Sequence, residues 1–98
     1  MDSITDLFDF DFEVEYMLFV DELENSAGIY VVHTEKEILD AGETEDLKEA
    51  IESHPHTKSW IDKAQKGDIY IAFHSDPDPE SRKDKLLYIQ SKIIPQVR

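Results

Sequence analysis

Gly28-Ile-Tyr-Val-Val-His-Thr-Glu-Lys-Glu-Ile-Leu-Asp-Ala-Gly-Glu-Thr44 is the stretch that decides the fold. It holds two short apolar runs, Gly28–Val32 and Glu37–Ala41, with a polar connection from His33 to Lys36 between them. Runs rich in Ile, Val and Tyr bounded by polar residues read as strands, and so short a connection joins antiparallel neighbours. In the first strand Ile29, Val31 and His33 share one face, and Tyr30, Val32 and Thr34 the other. Apolar groups on both faces predict a central strand. In the second, Ile38 and Asp40 point one way, Leu39 and Ala41 the other. Gly42 closes this run and Thr44 opens a helical pattern.

Upstream, Phe8 to Tyr16 reads FDFDFEVEY. Period-two alternation predicts a strand with Phe8, Phe10, Phe12, Val14 and Tyr16 on one face and Asp9, Asp11, Glu13 and Glu15 on the other. Charges on an edge strand discourage edge-to-edge pairing. The same four carboxylates form an acidic ladder that could dock a basic partner or imitate the spacing of phosphates. The aromatic face could also pair across a homodimer. Met17–Val20 either extends the strand or turns toward Leu23.

Downstream, Thr44 is placed to cap a helix from about Glu45 to Ser53, with Leu47, Ala50, Ile51 and His54 in one inward arc. Trp60, Ile61 and Ala64 lie at helical spacing in a second helix, from His56 to Gln65, stopped by Gly67. Asp68–His74 reads as an interior strand with Ile69, Ile71 and Phe73 on one face. Asp78 caps a last helix with Pro79 in its first position. There Leu86, Leu87, Ile89, Ile93 and Ile94 form one broad apolar face, with Gln90 projecting at its middle. The order β, β, β, α, α, β, α predicts an α+β fold, a small, mainly antiparallel sheet flanked by helices.

Ninety-eight residues are expected to form one domain, 1–98, with residues 1–25 as an acidic strand extension on a core from 26 to 96. Cysteine is absent, so no disulfide or thiolate metal site is available, which suits a reducing cytoplasm. No apolar run approaches the roughly 20 residues that span a bilayer, and the N-terminus lacks a basic region of the secretory kind. Twenty-three acids against ten bases give a net charge of −13. Such a surface repels polyanions, which disfavours direct nucleic-acid binding and anionic membranes, and it makes a basic protein the natural partner.

These residues together resemble the GIY-YIG endonucleases. Gly28-Ile29-Tyr30 matches the first half of the naming motif, and Leu39-Asp40-Ala41-Gly42-Glu43-Thr44 sits where the family has Leu-Tyr-Ile/Val-Gly-x-Thr. Asp46-Leu47 resembles its Asn/Asp-Leu, Ile51–His54 its Arg-Leu-x-x-His, and Gln90-x-x-Ile93-Ile94-Pro95 its Glu-x-x-Leu-Ile and proline. The motif positions carried over are Gly28, Ile29, Tyr30, Gly42, Thr44 and His54. The resemblance implies metal-assisted phosphodiester hydrolysis by a tyrosine, an arginine on the phosphate and a glutamate on the metal. Here Tyr30 keeps the first tyrosine, Asp40 replaces the second, Ala50 the arginine and Gln90 the glutamate.

Alanine cannot neutralise a phosphate, and neutral glutamine is a poor Mg²⁺ ligand. The resemblance therefore implies a non-catalytic domain without a cofactor, while the net charge and the acidic ladder point to a basic protein bound through Asp9, Asp11, Glu13 and Glu15, with Glu43 and Glu45 extending the surface. Two alternatives stand beside it. One is a divergent endonuclease using Mg²⁺ or Mn²⁺ with Tyr30, Asp40 and some of the histidines. The other is a nucleic-acid mimic that blocks a DNA-binding protein. Four histidines are present, His33, His54, His56 and His74, at a spacing that fits no zinc motif. His54 and His56 flank a proline and are not expected on one helix face, so no metal ligands are assigned.

Overall fold

The computed structural model describes residues 11–93, and the side chains up to Lys92. Its elements are β1 (Val14–Met17), β2 (Gly28–His33), β3 (Ile38–Thr44), α1 (Leu47–Glu52), α2 (Thr57–Ala64), β4 (Tyr70–Ser75) and α3 (Pro79–Ile93). The strands form one antiparallel sheet in the order β1-β4-β2-β3. The fold is α+β, as the pattern of the chain predicts. The fully buried β2 lies between β3 and β4, which is the central position expected of a strand apolar on both faces.

Each face of the sheet has its own core. Tyr30, Val32, Leu39, Ile69, Ile71 and Phe73 pack with Leu47, Ile51 and Trp60 under α1 and α2. Ile29, Val31, Ile38 and Ala72 pack with Ile89 of α3 on the other side, joined by Phe12, Ala41, Leu86 and Tyr88. Strand alternation alone assigns the β2 and β4 residues to these two faces. Gly28 leaves no room for a side chain beside β4. A Cβ there would collide with the carbonyl oxygen of His74 and stand 2.7 Å from the Phe73 ring, so the β2–β4 pairing needs glycine.

Alternation fails in β3, and the failure shapes the functional face. Val32 pairs with Asp40 and His33 with Ile38, so Leu39 is an extra residue, a β-bulge. Ile38 and Ala41 join the α3 face, while Leu39 joins the α1/α2 face. Asp40 reaches α2, where it meets Trp60. The expected pairing of Ile38 with Asp40 and of Leu39 with Ala41 is therefore corrected, because a bulge resets the period by one residue.

Several helix boundaries also differ from expectation. The cap of α1 is Asp46, whose carboxylate accepts from the Glu49 amide at 3.3 Å. Thr44 is still paired to Gly28 in the sheet, and its hydroxyl accepts from the Asp46 amide at 3.0 Å. Gln65 and Lys66, at φ 51° and 72°, end α2 in left-handed conformation ahead of Gly67. Ile61 and Leu87 are exposed, at 45% and 58%, outside the apolar faces assigned to them. As expected, Asp78 caps α3, its carboxylate accepting from the Glu80 amide at 3.1 Å.

At the edge, β1 is shorter than the Phe8–Tyr16 alternation. Tyr16 packs against the α1/α2 core and Phe12 against the α3 core, while Val14 is exposed. The common face expected of Phe12 and Tyr16 is therefore corrected: Phe12 precedes the paired residues, so the strand period does not fix its side. Phe8, Asp9 and Phe10 lie outside the described residues, as do Ile94 and Pro95.

Candidate functional site

Tyr30 stands on β2 directly opposite Gly42 on β3. Its ring occupies the space a side chain at 42 would take, and a Cβ on Gly42 would collide with the Tyr30 hydroxyl. The residue is buried, and burial, then the nearby Asp40 and Glu43 carboxylates, push its phenol up to about 12. A phenol at that value is neutral at physiological pH and a weak nucleophile. Ala50 lies half-buried against the same core, where it packs as its place in the inward arc predicts.

Beside this core the bulge aims Asp40 at α2. Its Oδ2 accepts from Trp60 Nε1 at 3.0 Å and lies 3.3 Å from His56 Nδ1, while Oδ1 accepts from the Ala41 amide at 2.9 Å. His54 follows α1, and its Nδ1 accepts from the His56 amide at 3.0 Å across Pro55. The His54 ring lies 4.4 Å from Trp60 and 5.2 Å from His56, centroid to centroid, and meets Tyr30 edge-on at 6.1 Å. Burial pushes the His54 imidazole below its ordinary value; Asp40 opposes that shift and His56 adds to it. One ligand atom from each of Asp40, His54 and His56 lies within 4.8 Å of the others. Leu39, Asp40, His56, Ser59, Trp60 and Lys63 line an open pocket at this spot. Trp60 itself is 1% exposed and is core, as expected.

Tyr30, Asp40 and Ala50 thus share one side of the sheet, and Gln90 does not join them. It is exposed on α3, the helix on the opposite face. The inward position expected for it is corrected. The buried stripe of α3 runs through Arg82, Leu86 and Ile89, leaving 90 turned outward. As expected, His54 and His56 share no helix face, one following α1 and the other preceding α2, yet their rings converge. They need no common helix face, because the turn at Pro55 folds the two rings together.

The acidic ladder is less free than alternation implies. Glu15 Oε1 lies 2.7 Å from Nε2 of the buried His33, whose ring stacks on Tyr70. Glu13 accepts from the Ser75 amide at 3.0 Å and sits 3.0 Å from His74 Nδ1. Both carboxylate side chains keep 47% of their surface exposed. The backbone oxygen of Asp11 also meets His74 Nδ1, at 2.6 Å, and Asp9 lies outside the described residues. Glu43 faces Arg82 Nε at 3.6 Å, while Glu45 is exposed.

Sequence reasoning missed the second polar network. Lys85 Nζ donates to Asp76 Oδ2 and to His74 Nε2, each at 2.8 Å. Ser81 also donates to Asp76, and the buried Arg82 donates from Nη1 to the Asp76 carbonyl at 3.2 Å. Lys85 and Ser81 together hold the Asp76 carboxyl down at about 2. A signal was available, since Arg82, Leu86 and Ile89 stand at i, i+4, i+7 on one helix stripe.

Comparison with protein-family models, with curated proteins and with solved structures returns no match for this chain. Among the described residues, no helix is long and apolar enough to cross a membrane.

Proposed function

We propose that this chain is a catalytically silent domain, GIY-YIG-like in its strand and α1 motifs though not in the placement of Gln90, that acts in the cytoplasm by binding a basic protein. One observation carries the reading. The tyrosine that resembles the family's nucleophile is a buried neutral phenol packed over Gly42, with Asp40 nearby and Ala50 at the position of the arginine. An incoming phosphate would meet carboxylate charge there instead of a guanidinium fork. The net charge of −13 supports a basic partner. The contact surface in this reading is the edge strand and its approach, Asp9, Asp11, Glu13 and Glu15. There, two carboxylates remain half-exposed after meeting their histidines.

The test is binding of a lysine-rich peptide by fluorescence anisotropy across a salt series. Two charge-matched double variants are compared. Asp9→Asn with Asp11→Asn leaves the histidine contacts of Glu13 and Glu15 in place, and Glu49→Gln with Glu52→Gln removes the same charge from α1. The reading expects steep weakening with salt and a greater loss in the first variant than in the second. Salt-insensitive binding, or equal losses in both variants, contradicts it.

A further inference from the structure

We propose that Asp40, His54 and His56 bind one divalent transition-metal ion of the Zn²⁺ type, with a further coordination position open to solvent. The inference is independent of the silent-domain reading above, since an ion here needs neither Tyr30 nor catalysis.

The geometry is close to what such an ion requires. Ligand atoms about 2.0–2.1 Å from a tetrahedral ion lie roughly 3.3–3.4 Å apart. His56 Nδ1 and Asp40 Oδ2 are already 3.3 Å apart, and all three ligand atoms fall within 4.8 Å. Two imidazoles and one carboxylate select borderline ions over Mg²⁺ or Ca²⁺, which favour all-oxygen shells. The carboxylate is held from two sides, by Trp60 Nε1 on Oδ2 and the Ala41 amide on Oδ1. Outer partners of this kind orient a metal ligand. The His56 side chain is 65% exposed, so the ion has a path in and room for water.

Binding changes one hydrogen bond in a definite way. His54 Nδ1 now accepts from the His56 amide. If Nδ1 takes the metal, its lone pair is used. If Nε2 takes it, the proton moves to Nδ1, which can no longer accept. Either way the His56 amide loses this acceptor on loading.

Trp60 is the one tryptophan in the chain and reports the site directly. Co²⁺ titrated into the full-length protein is expected to quench its emission saturably at one equivalent. Zn²⁺ should restore the emission by displacement, while excess Mg²⁺ should not. Asp40→Asn keeps an oxygen for Trp60 Nε1, and His56→Ala removes an exposed side chain, so both are expected to fold; thermal melts verify this. Each should raise the half-saturating Co²⁺ concentration by about tenfold or more. Asp84→Asn, an exposed acid on α3 across the sheet, should leave it unchanged. Loading should also speed amide exchange at His56. Quenching that never saturates, or that is the same in Asp40→Asn and His56→Ala as in the parent, overturns the proposal.

Discussion

The two faces of the sheet carry polar groups in opposite ways. On the α3 side, the buried Asp76 meets Lys85, Ser81 and Arg82, and the half-exposed Glu13 meets His74 at the sheet's edge, so these acids lie among cations and hydroxyls. Under α1 and α2, Asp40 meets an indole N–H and an imidazole at a pocket open to solvent. The difference teaches that an excess of acid does not define a site. The α3 network holds a helix onto the sheet. The Asp40 cluster presents donor atoms whose partners an incoming ion can replace.

The largest expected effects compare the anchors of the two faces. Trp60→Ala removes the largest fully buried side chain on the α1/α2 face and the indole donor to Asp40. It should cost about 3–5 kcal/mol in chemical denaturation. Ile89→Ala, the matching deletion under α3, should cost about 2–5 kcal/mol. If Trp60→Ala proves the milder of the two, the α1/α2 layer is less tightly packed than its burial implies.

Asp76→Asn comes next, at about 2 kcal/mol near neutral pH. Its carboxyl is held at about 2 against an ordinary 3.8, so its contribution is complete above 3.8 and lost as pH falls toward 2. The variant should therefore lose the part of the acid-induced destabilisation that falls between those values, as read from melts at stepped pH. The smallest effect belongs to Gln90→Ala, within about 0.5 kcal/mol of the parent. A cost near that of Ile89→Ala would show Gln90 packed inward and break the placement of α3.

Much of this contrast is legible in the chain. The apolar runs of β2 and β4 locate the centre of the sheet, and Leu47, Ile51 and Trp60 reveal the helical faces above it. The candidate site is less legible, because it depends on two local departures from regular structure. The Leu39 bulge shifts the strand period, and the turn at Pro55 brings together two histidines that no helix face would pair. Arg82 was readable at i, i+4, i+7 with Leu86 and Ile89. A charged residue is seldom assigned to a core stripe, which hides it. Gln90 reads as inward because the apolar positions of α3 span a broader arc than the stripe that is buried.

The most direct test of the silent pocket is supercoiled plasmid incubated with purified protein and, in turn, Mg²⁺, Mn²⁺, Zn²⁺ and Co²⁺. The expected result is no nicking above that of Tyr30→Phe with any ion, including those the Asp40 cluster is proposed to bind. Cleavage by the parent protein that Tyr30→Phe abolishes would contradict the account.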